Sequence, residues 1–96
     1  MAQFLITYDN KRPRNYDGLY QLMAAWNAVR LAESVWLANL FVPADKVRAF
    51  VIGTMQRDDL VAVIELKPGS DWATLNASAT ANAWLSGNVT PSQKAA

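Results

Sequence analysis

The chain contains 96 residues, of which 52% are hydrophobic, and its nine Lys and Arg residues nearly balance its eight Asp and Glu residues, for a net charge of +1. This length suits one domain rather than two, and the hydrophobic content excludes a disordered chain. The charge balance excludes a nucleic-acid coat protein held by bulk charge, and the absence of Cys and His excludes disulfides, thiolate metal sites and a Ser-His-Asp triad.

Neither end of the chain predicts contact with a membrane. The N-terminus lacks a basic start, and its apolar run ends at Asp9, too soon for a signal peptide. Residues 72–93 carry no charge, but their many Asn, Ser and Thr residues make them too polar for a membrane span. We therefore expect a cytoplasmic location.

The first third of the sequence predicts a strand, a loop and a helix. Residues 4–8 form a short apolar run that favours a β-strand and ends at Asp9. Residues 10–15 are polar and basic, which is typical of a loop. Apolar and aromatic residues then recur at helical spacing over residues 16–27, so we expect an amphipathic helix there.

The middle of the sequence predicts a hairpin, a second helix and a further strand. Residues 29–41 are too many for one average strand, so a hairpin that turns near Glu33-Ser34, or a little later, is expected. Pro43 suits the first position of a helix. Residues 60–66 are nearly all apolar, which predicts a central strand beside the first strand, covered on both faces.

After a turn at residues 67–71, apolar side chains at helical spacing predict a short C-terminal helix. The element order predicts an α+β domain of ferredoxin-like βαββαβ type, with an antiparallel sheet and both long helices on one face. We assign residues 1–85 to this domain and residues 86–96 to a flexible C-terminal tail.

The sheet face opposite the two long helices needs a cover, which could be a second subunit or the C-terminal segment. The chain is short, its strands are apolar on both sides and it contains four Trp residues. We therefore expect a homodimer that buries this face.

Four short motifs carry a resemblance to a known family. They are Phe4-Leu-Ile-Thr-Tyr-Asp9, Ser34-Val-Trp36 after Arg30, Asp58-Asp59 before an apolar strand, and Trp72 followed by Trp84-Leu85. In this order and spacing, the chain resembles the small CRISPR-associated nuclease-like protein of the spacer-acquisition machinery and its VapD-like toxin relatives, especially their uncharacterised bacterial branch. The similarity spans most of residues 3–85.

The resemblance implies a homodimeric ferredoxin-like fold. Some family members cleave RNA or DNA with a divalent metal, Mg²⁺ or Mn²⁺, bound between two copies of the first-strand Asp; others are inert scaffolds. Asp9 carries over as the candidate catalytic residue and metal ligand, and Ser34 as a neighbour of that site. The chain departs from the pattern in one respect, because no second carboxylate adjoins Asp9.

The acidic residues also have simpler interpretations. Asp9 could activate a metal-bound water or merely cap the loop after its strand. Asp58 and Asp59 could bind metal or form a solvated link between helix and strand. Glu33 and Glu65 could pair with basic neighbours or line a dimer interface, and neither is assigned to catalysis.

The loop after the first strand carries Lys11, Arg12 and Arg14, which we predict as nucleic-acid-binding residues that contact backbone phosphates. The alternative is a solvated loop. Tyr16 and Tyr20 could stack on bases, although aromatic residues at helical spacing more often belong to a core.

Three functions stay open at this point. The chain could be a metal-dependent endonuclease acting on RNA or DNA, a non-catalytic dimer that binds nucleic acid or a protein, or a stable dimer within a larger assembly. The lack of His and the single convincing carboxylate favour the last two, whereas the basic loop favours the first two.

Overall fold

The computed structural model describes residues 1–9, 16–56 and 58–89. Seven elements follow one another along these residues. They are β1 (Ala2–Asp9), α1 (Asp17–Ala25), β2 (Val29–Ala32), β3 (Val35–Leu40), α2 (Ala44–Ile52), β4 (Leu60–Leu66) and α3 (Ala79–Asn88).

The four strands form one sheet in the order β2-β3-β1-β4, and every neighbouring pair is antiparallel. The prediction of an α+β chain with an antiparallel sheet is therefore confirmed. The hairpin turns at Glu33 and Ser34, as the sequence predicts, because β2 ends at Ala32 and β3 begins at Val35. Since β3 lies between β1 and β2, α1 connects two strands that are not neighbours.

The main core lies between one sheet face and the two long helices. Alternate residues of β1 face it, and α1 and α2 each contribute a pair of side chains spaced four residues apart, which places each pair on one helix face. Its largest fully buried side chains are Phe4, Ile6, Leu19, Met23, Val47 and Val51. Burial of each such side chain contributes about 1.5–3 kcal/mol.

The end of α1 has a local cause. Asn27 has a φ of 53°, in the left-handed region that Asn tolerates better than most residues. The Ala28 N–H donates to the Met23 carbonyl at 2.9 Å, and the Asn27 N–H donates to the Ala24 carbonyl at 3.1 Å. These two bonds satisfy carbonyls at the helix end, as in a Schellman motif, and direct the chain into β2.

The other sheet face is covered by α3, over β2 and β3. Leu37 of β3 packs there against Trp84, Leu85 and Val89, all of them buried. The Ser78 hydroxyl caps α3 by accepting a hydrogen bond from the Ala81 N–H at 3.1 Å. The expectation that a second subunit buries this face is therefore wrong for the part beside β2 and β3, because the chain's own C-terminal helix occupies it.

The C-terminal helix continues further than the sequence predicts. It ends at Asn88, the next residue, Val89, is only 2% exposed, and the Gly69 N–H donates to the Val89 carbonyl at 2.7 Å. Packed structure therefore reaches beyond the boundary predicted at residue 85. Residues 90–96 of the predicted tail lie outside the described residues.

The strand at residues 60–66 lies beside β1 as predicted, but it is an edge strand and not a central one. The prediction of a central position was wrong because it rested on the apolar run of this strand, which is typical of strands covered on both faces. In β4, however, Leu60 is 54% and Ile64 is 55% exposed. Among the described residues, only β1 pairs with this strand.

Candidate functional site

Five side chains form a cluster on the sheet face that carries the two long helices. They are Tyr8 of β1, Tyr16 and Tyr20 at the start of α1, Arg30 of β2 and Trp36 of β3. Ring centroids are 5.4 Å apart for Tyr8 and Tyr16, 5.7 Å for Tyr16 and Tyr20, and 6.2 Å for Tyr20 and Trp36. We call this group the aromatic–arginine cluster.

Helix periodicity and strand register bring these side chains together. Tyr16 and Tyr20 are four residues apart, so they share one side of α1. Arg30 and Trp36 stand opposite each other on neighbouring strands, which places both on the same sheet face. Tyr8 lies two residues along β1 from the residue that pairs with Trp36, so it is a diagonal neighbour on that face.

The Arg30 guanidinium lies over two rings. Its carbon Cζ is 5.2 Å from the centroid of Tyr20 and 5.1 Å from that of Trp36, both within cation–π range. Nη2 donates to the Tyr20 hydroxyl at 3.3 Å, and Nε donates to the Glu33 carbonyl at 3.2 Å. The bond to Tyr20 is the main reason why the pKa of Arg30 lies above its ordinary value, so the side chain stays charged.

Tyr8 lies behind the exposed part of the cluster. It is buried, and its hydroxyl accepts a hydrogen bond from Nε1 of Trp36 at 3.0 Å. Burial raises the pKa of Tyr8, and the Trp36 bond and the charge of Arg30 oppose this shift only in part. Tyr8 is therefore a neutral anchor that fixes the Trp36 ring.

A surface cleft of about 630 Å³ opens beside the cluster. Its walls come from the start of α1, the β2–β3 hairpin and the residue that caps α3. The residues around it are Tyr16, Tyr20, Arg30, Leu31, Ala32, Glu33, Ser34 and Ser78. Tyr20 is 38% exposed. This volume falls in the range of small-ligand sites, and its walls offer aromatic, cationic and hydroxyl groups together.

Asp9, the predicted catalytic residue and metal ligand, is the last residue of β1 and is exposed. It pairs across the sheet with Leu60. The N–H of its neighbour Tyr8 donates to the Ser34 carbonyl at 3.4 Å, so Ser34 lies beside this strand end and also lines the cleft. Because side chains alternate along a strand, Asp9 belongs to the opposite sheet face from Tyr8.

The three predicted nucleic-acid-binding residues, Lys11, Arg12 and Arg14, lie outside the described residues. Their loop joins Asp9 to Tyr16, so it connects the strand end to a residue of the cleft by chain connectivity alone.

Two other acidic residues, Asp59 and Glu65, make contacts within the fold. Among the described residues, no group of three or more Asp or Glu side chains is placed to hold a metal ion. Asp59 is buried, and its Oδ2 accepts a hydrogen bond from the Gln56 N–H at 2.9 Å, so it stabilises the turn before β4. Glu65 pairs with Lys67 at 3.3 Å on the surface.

Sequence reasoning identified Tyr16 and Tyr20 as residues that could stack on bases, but it gave Arg30 and Trp36 no site role. The sequence did contain a weak indication of their contact, because Arg30 and Trp36 lie on either side of the predicted hairpin turn. Their meeting depends on the register of β2 and β3, which includes a shift between Arg30 and Ala32. Composition and spacing do not define that register.

Comparison with known protein families, curated proteins and solved structures finds no match to this chain. In the part of the chain that the structure describes, no helix is long and apolar enough to cross a membrane.

Proposed function

We propose that this chain binds single-stranded nucleic acid, without cleaving it, at the cleft beside the aromatic–arginine cluster. One observation carries the proposal. A half-exposed Tyr20 ring and a stacked Arg30 guanidinium stand at a cleft of about 630 Å³. Bases stack on aromatic rings and on guanidinium planes whatever their identity, which makes such a surface suitable for unpaired strands.

The cluster is preorganised for this role. Arg30 is held by two rings and by the Glu33 carbonyl, so little side-chain entropy remains to be lost on binding. Its Nη1 makes no hydrogen bond to any described residue. This nitrogen can therefore donate to a phosphate or a base edge while the stack persists.

The basic loop supplies the second part of the proposal. Lys11, Arg12 and Arg14 lie between Asp9 and Tyr16 in the sequence, and such side chains contact backbone phosphates without reading sequence. In this proposal the rings bind the bases and the loop binds the backbone. We place the function in the cytoplasm, where unpaired RNA is available.

Fluorescence anisotropy with labelled single-stranded RNA, single-stranded DNA and duplex DNA tests the proposal. We expect Tyr20→Ala to weaken single-strand binding by about 5- to 150-fold, the equivalent of about 1–3 kcal/mol for one stacked base. Phe50→Ala is the matched control, because Phe50 is another exposed aromatic residue, 55% exposed, that does not line the cleft.

Two results would reject the proposal: no binding by the wild type, or equal loss in the Tyr20 and Phe50 variants. The loop is tested separately by replacing Lys11, Arg12 and Arg14 with Ala. Three lost phosphate contacts should flatten the slope of log affinity against log salt by about 2 for a single strand.

The second candidate is the metal-dependent endonuclease that the family resemblance implies. The position of Asp9 at an exposed strand end beside Ser34 favours it. The donor set does not fit a resident Mg²⁺ or Mn²⁺ well, because among the described residues no group of three or more acidic side chains is placed to hold an ion, and such ions require several oxygen ligands. Cleavage of RNA or DNA with either ion, lost in Asp9→Asn, would establish this function against ours.

We also propose that the fold is ferredoxin-like βαββαβ. The order β2-β3-β1-β4 supports this topology, since β3 inserts between β1 and β2 and β1 inserts between β3 and β4. The common core that α1 and α2 share on one sheet face supports it as well. An experimental structure with a different strand order would reject it.

A further inference from the structure

Most of the edge of β4, up to Glu65, lacks the devices that usually protect an exposed strand. Residues 60–64 are Leu-Val-Ala-Val-Ile, with no charge, Pro or Gly, and the strand pairs with β1 in a continuous register. Leu60 and Ile64 are more than half exposed. Natural edge strands are usually kept short, bulged or charged, because an unprotected edge pairs with another strand.

A charged groove runs beside this edge on the helix-covered face. Its volume is about 310 Å³, and its walls are Asp45 and Arg48 of α2 together with Val61–Val63 of β4 and Ala44. Arg48 forms no ion pair with any residue that the structure describes. The groove therefore holds a guanidinium and a carboxylate that are not joined as an ion pair, next to the free edge of the strand.

We propose that β4 pairs with β4 of a second copy of this chain, antiparallel about a two-fold axis at Val63, which joins the two sheets into one of eight strands. In this register Ala62 stands opposite Ile64 of the second copy, and Leu60 stands opposite Leu66. Each exposed apolar side chain thus meets an apolar neighbour.

Strand pairing and charge together favour this register. An axis at Val63 places Glu65 of the second copy opposite Val61, beside Arg48 in the groove. An axis at Ile64 would instead place Lys67 of the second copy there, between Asp45 and the like charge of Arg48, and would set Leu60 opposite Pro68, which has no N–H to donate. Glu65 can change partners at small cost, because its pair with Lys67 is exposed and such pairs contribute at most about 1 kcal/mol.

This dimer differs from the one that the family resemblance implies. Asp9 is level with Leu60, three positions from the axis, and β1 lies one strand inside the edge. From strand dimensions, the two Asp9 residues are then about 25 Å apart. They cannot share one metal ion, so the inference stands apart from the endonuclease candidate and does not rest on the nucleic-acid proposal.

Sedimentation velocity of the full chain, from low to high micromolar concentration, tests the interface. We expect a species of about twice the 10.6 kDa protomer mass. Ile64→Lys should raise the dimer dissociation constant at least about tenfold, because the axis doubles each effect. Leu75→Lys should leave it unchanged, since Leu75 is 84% exposed but belongs neither to β4 nor to the groove lining.

Charge exchange provides the sharper test and does not depend on apolar packing. Arg48→Glu and Glu65→Arg should each raise the dimer dissociation constant several-fold, and the double variant should restore it towards the wild-type value. A monomeric wild type would overturn the inference and leave this edge to a partner of different sequence. The inference would also be overturned if Ile64→Lys left the dimer dissociation constant unchanged. The same holds if the loss of dimer affinity in the double variant equalled the sum of the losses in the two single variants.

Discussion

The two edge strands of the sheet, β2 and β4, differ in length, in register and in the side chains that they expose. The β2 edge is four residues long, contains a register shift, and carries Arg30 stacked between Tyr20 and Trp36. The β4 edge is seven residues long, keeps a regular register with β1, and exposes Leu60 and Ile64. Both edges belong to one sheet, so the difference lies in strand length, register and side chains.

This contrast indicates what each edge can do. A short, bulged and charged edge does not pair with another strand. The surface beside β2 is therefore available for a ligand, and the cleft with its stacked Arg30 lies there. A long, regular and apolar edge favours strand pairing, which makes β4 the natural site for a second chain.

The largest expected effect distinguishes the centre of the sheet from the β4 edge. Ile6 is 0% exposed in β1, whereas Ile64 is 55% exposed in β4. Ile6→Asp should unfold the chain, because an unpaired buried charge costs more than about 4 kcal/mol. Ile64→Asp should leave a cooperatively folded monomer. Circular dichroism with urea unfolding measures both, and unfolding by Ile64→Asp would show that β4 is covered.

A smaller effect should separate the two arginines. Arg30→Ala removes two cation–π contacts and the hydrogen bonds to Glu33 and Tyr20, so it should lower the free energy of unfolding by about 1–2 kcal/mol. Arg48→Ala is the matched control at the other edge and should stay within about 0.5 kcal/mol in the monomer, because Arg48 has no ion-pair partner among the described residues. Urea unfolding below the concentration of self-association measures both variants. An equal loss of unfolding free energy in the two would show that Arg30 is held no more firmly than Arg48.

Local sequence patterns predicted the strands, helices and the hairpin turn well, but they predicted the position and packing of these elements poorly. The strand, helix and hairpin signals correctly gave β1, α1 and the turn at Glu33-Ser34, because each depends on neighbours in sequence. The position of β4 and the packing of α3 on Leu37 depend on contacts between distant segments. An apolar run alone cannot distinguish a central strand from an edge strand with exposed apolar side chains.

The site shows the same limit. The spacing of Tyr16 and Tyr20 gave their shared helix face, but the meeting of Arg30 with Trp36 required the register across β2 and β3. Asp9 as a metal ligand stays a prediction. It came from a family resemblance, and its loop neighbours lie outside the described residues.

The smallest expected effect concerns the anchor behind the cleft at the β2 side of the sheet. Tyr8→Phe removes the acceptor for Nε1 of Trp36, a bond of 3.0 Å, and leaves that partly buried donor unpaired. We expect a loss of about 1 kcal/mol in the free energy of unfolding at neutral pH. Binding at the cleft should weaken modestly as well, because the Trp36 ring that supports Arg30 is no longer fixed.

The pH dependence of this loss identifies its cause. Burial raises the pKa of Tyr8 above the ordinary value of 10.0, so the folded state keeps the phenol proton after the unfolded state has begun to lose it. The stability that Tyr8 contributes is fully present below pH 10.0 and falls as the pH rises through the folded-state pKa. Urea unfolding of wild type and Tyr8→Phe at stepped alkaline pH should therefore show the gap between them narrowing, with the wild type falling faster. A gap that stays constant through this range would mean that the pKa of Tyr8 is the same in the folded and unfolded states, which would contradict the effect of burial on this hydroxyl.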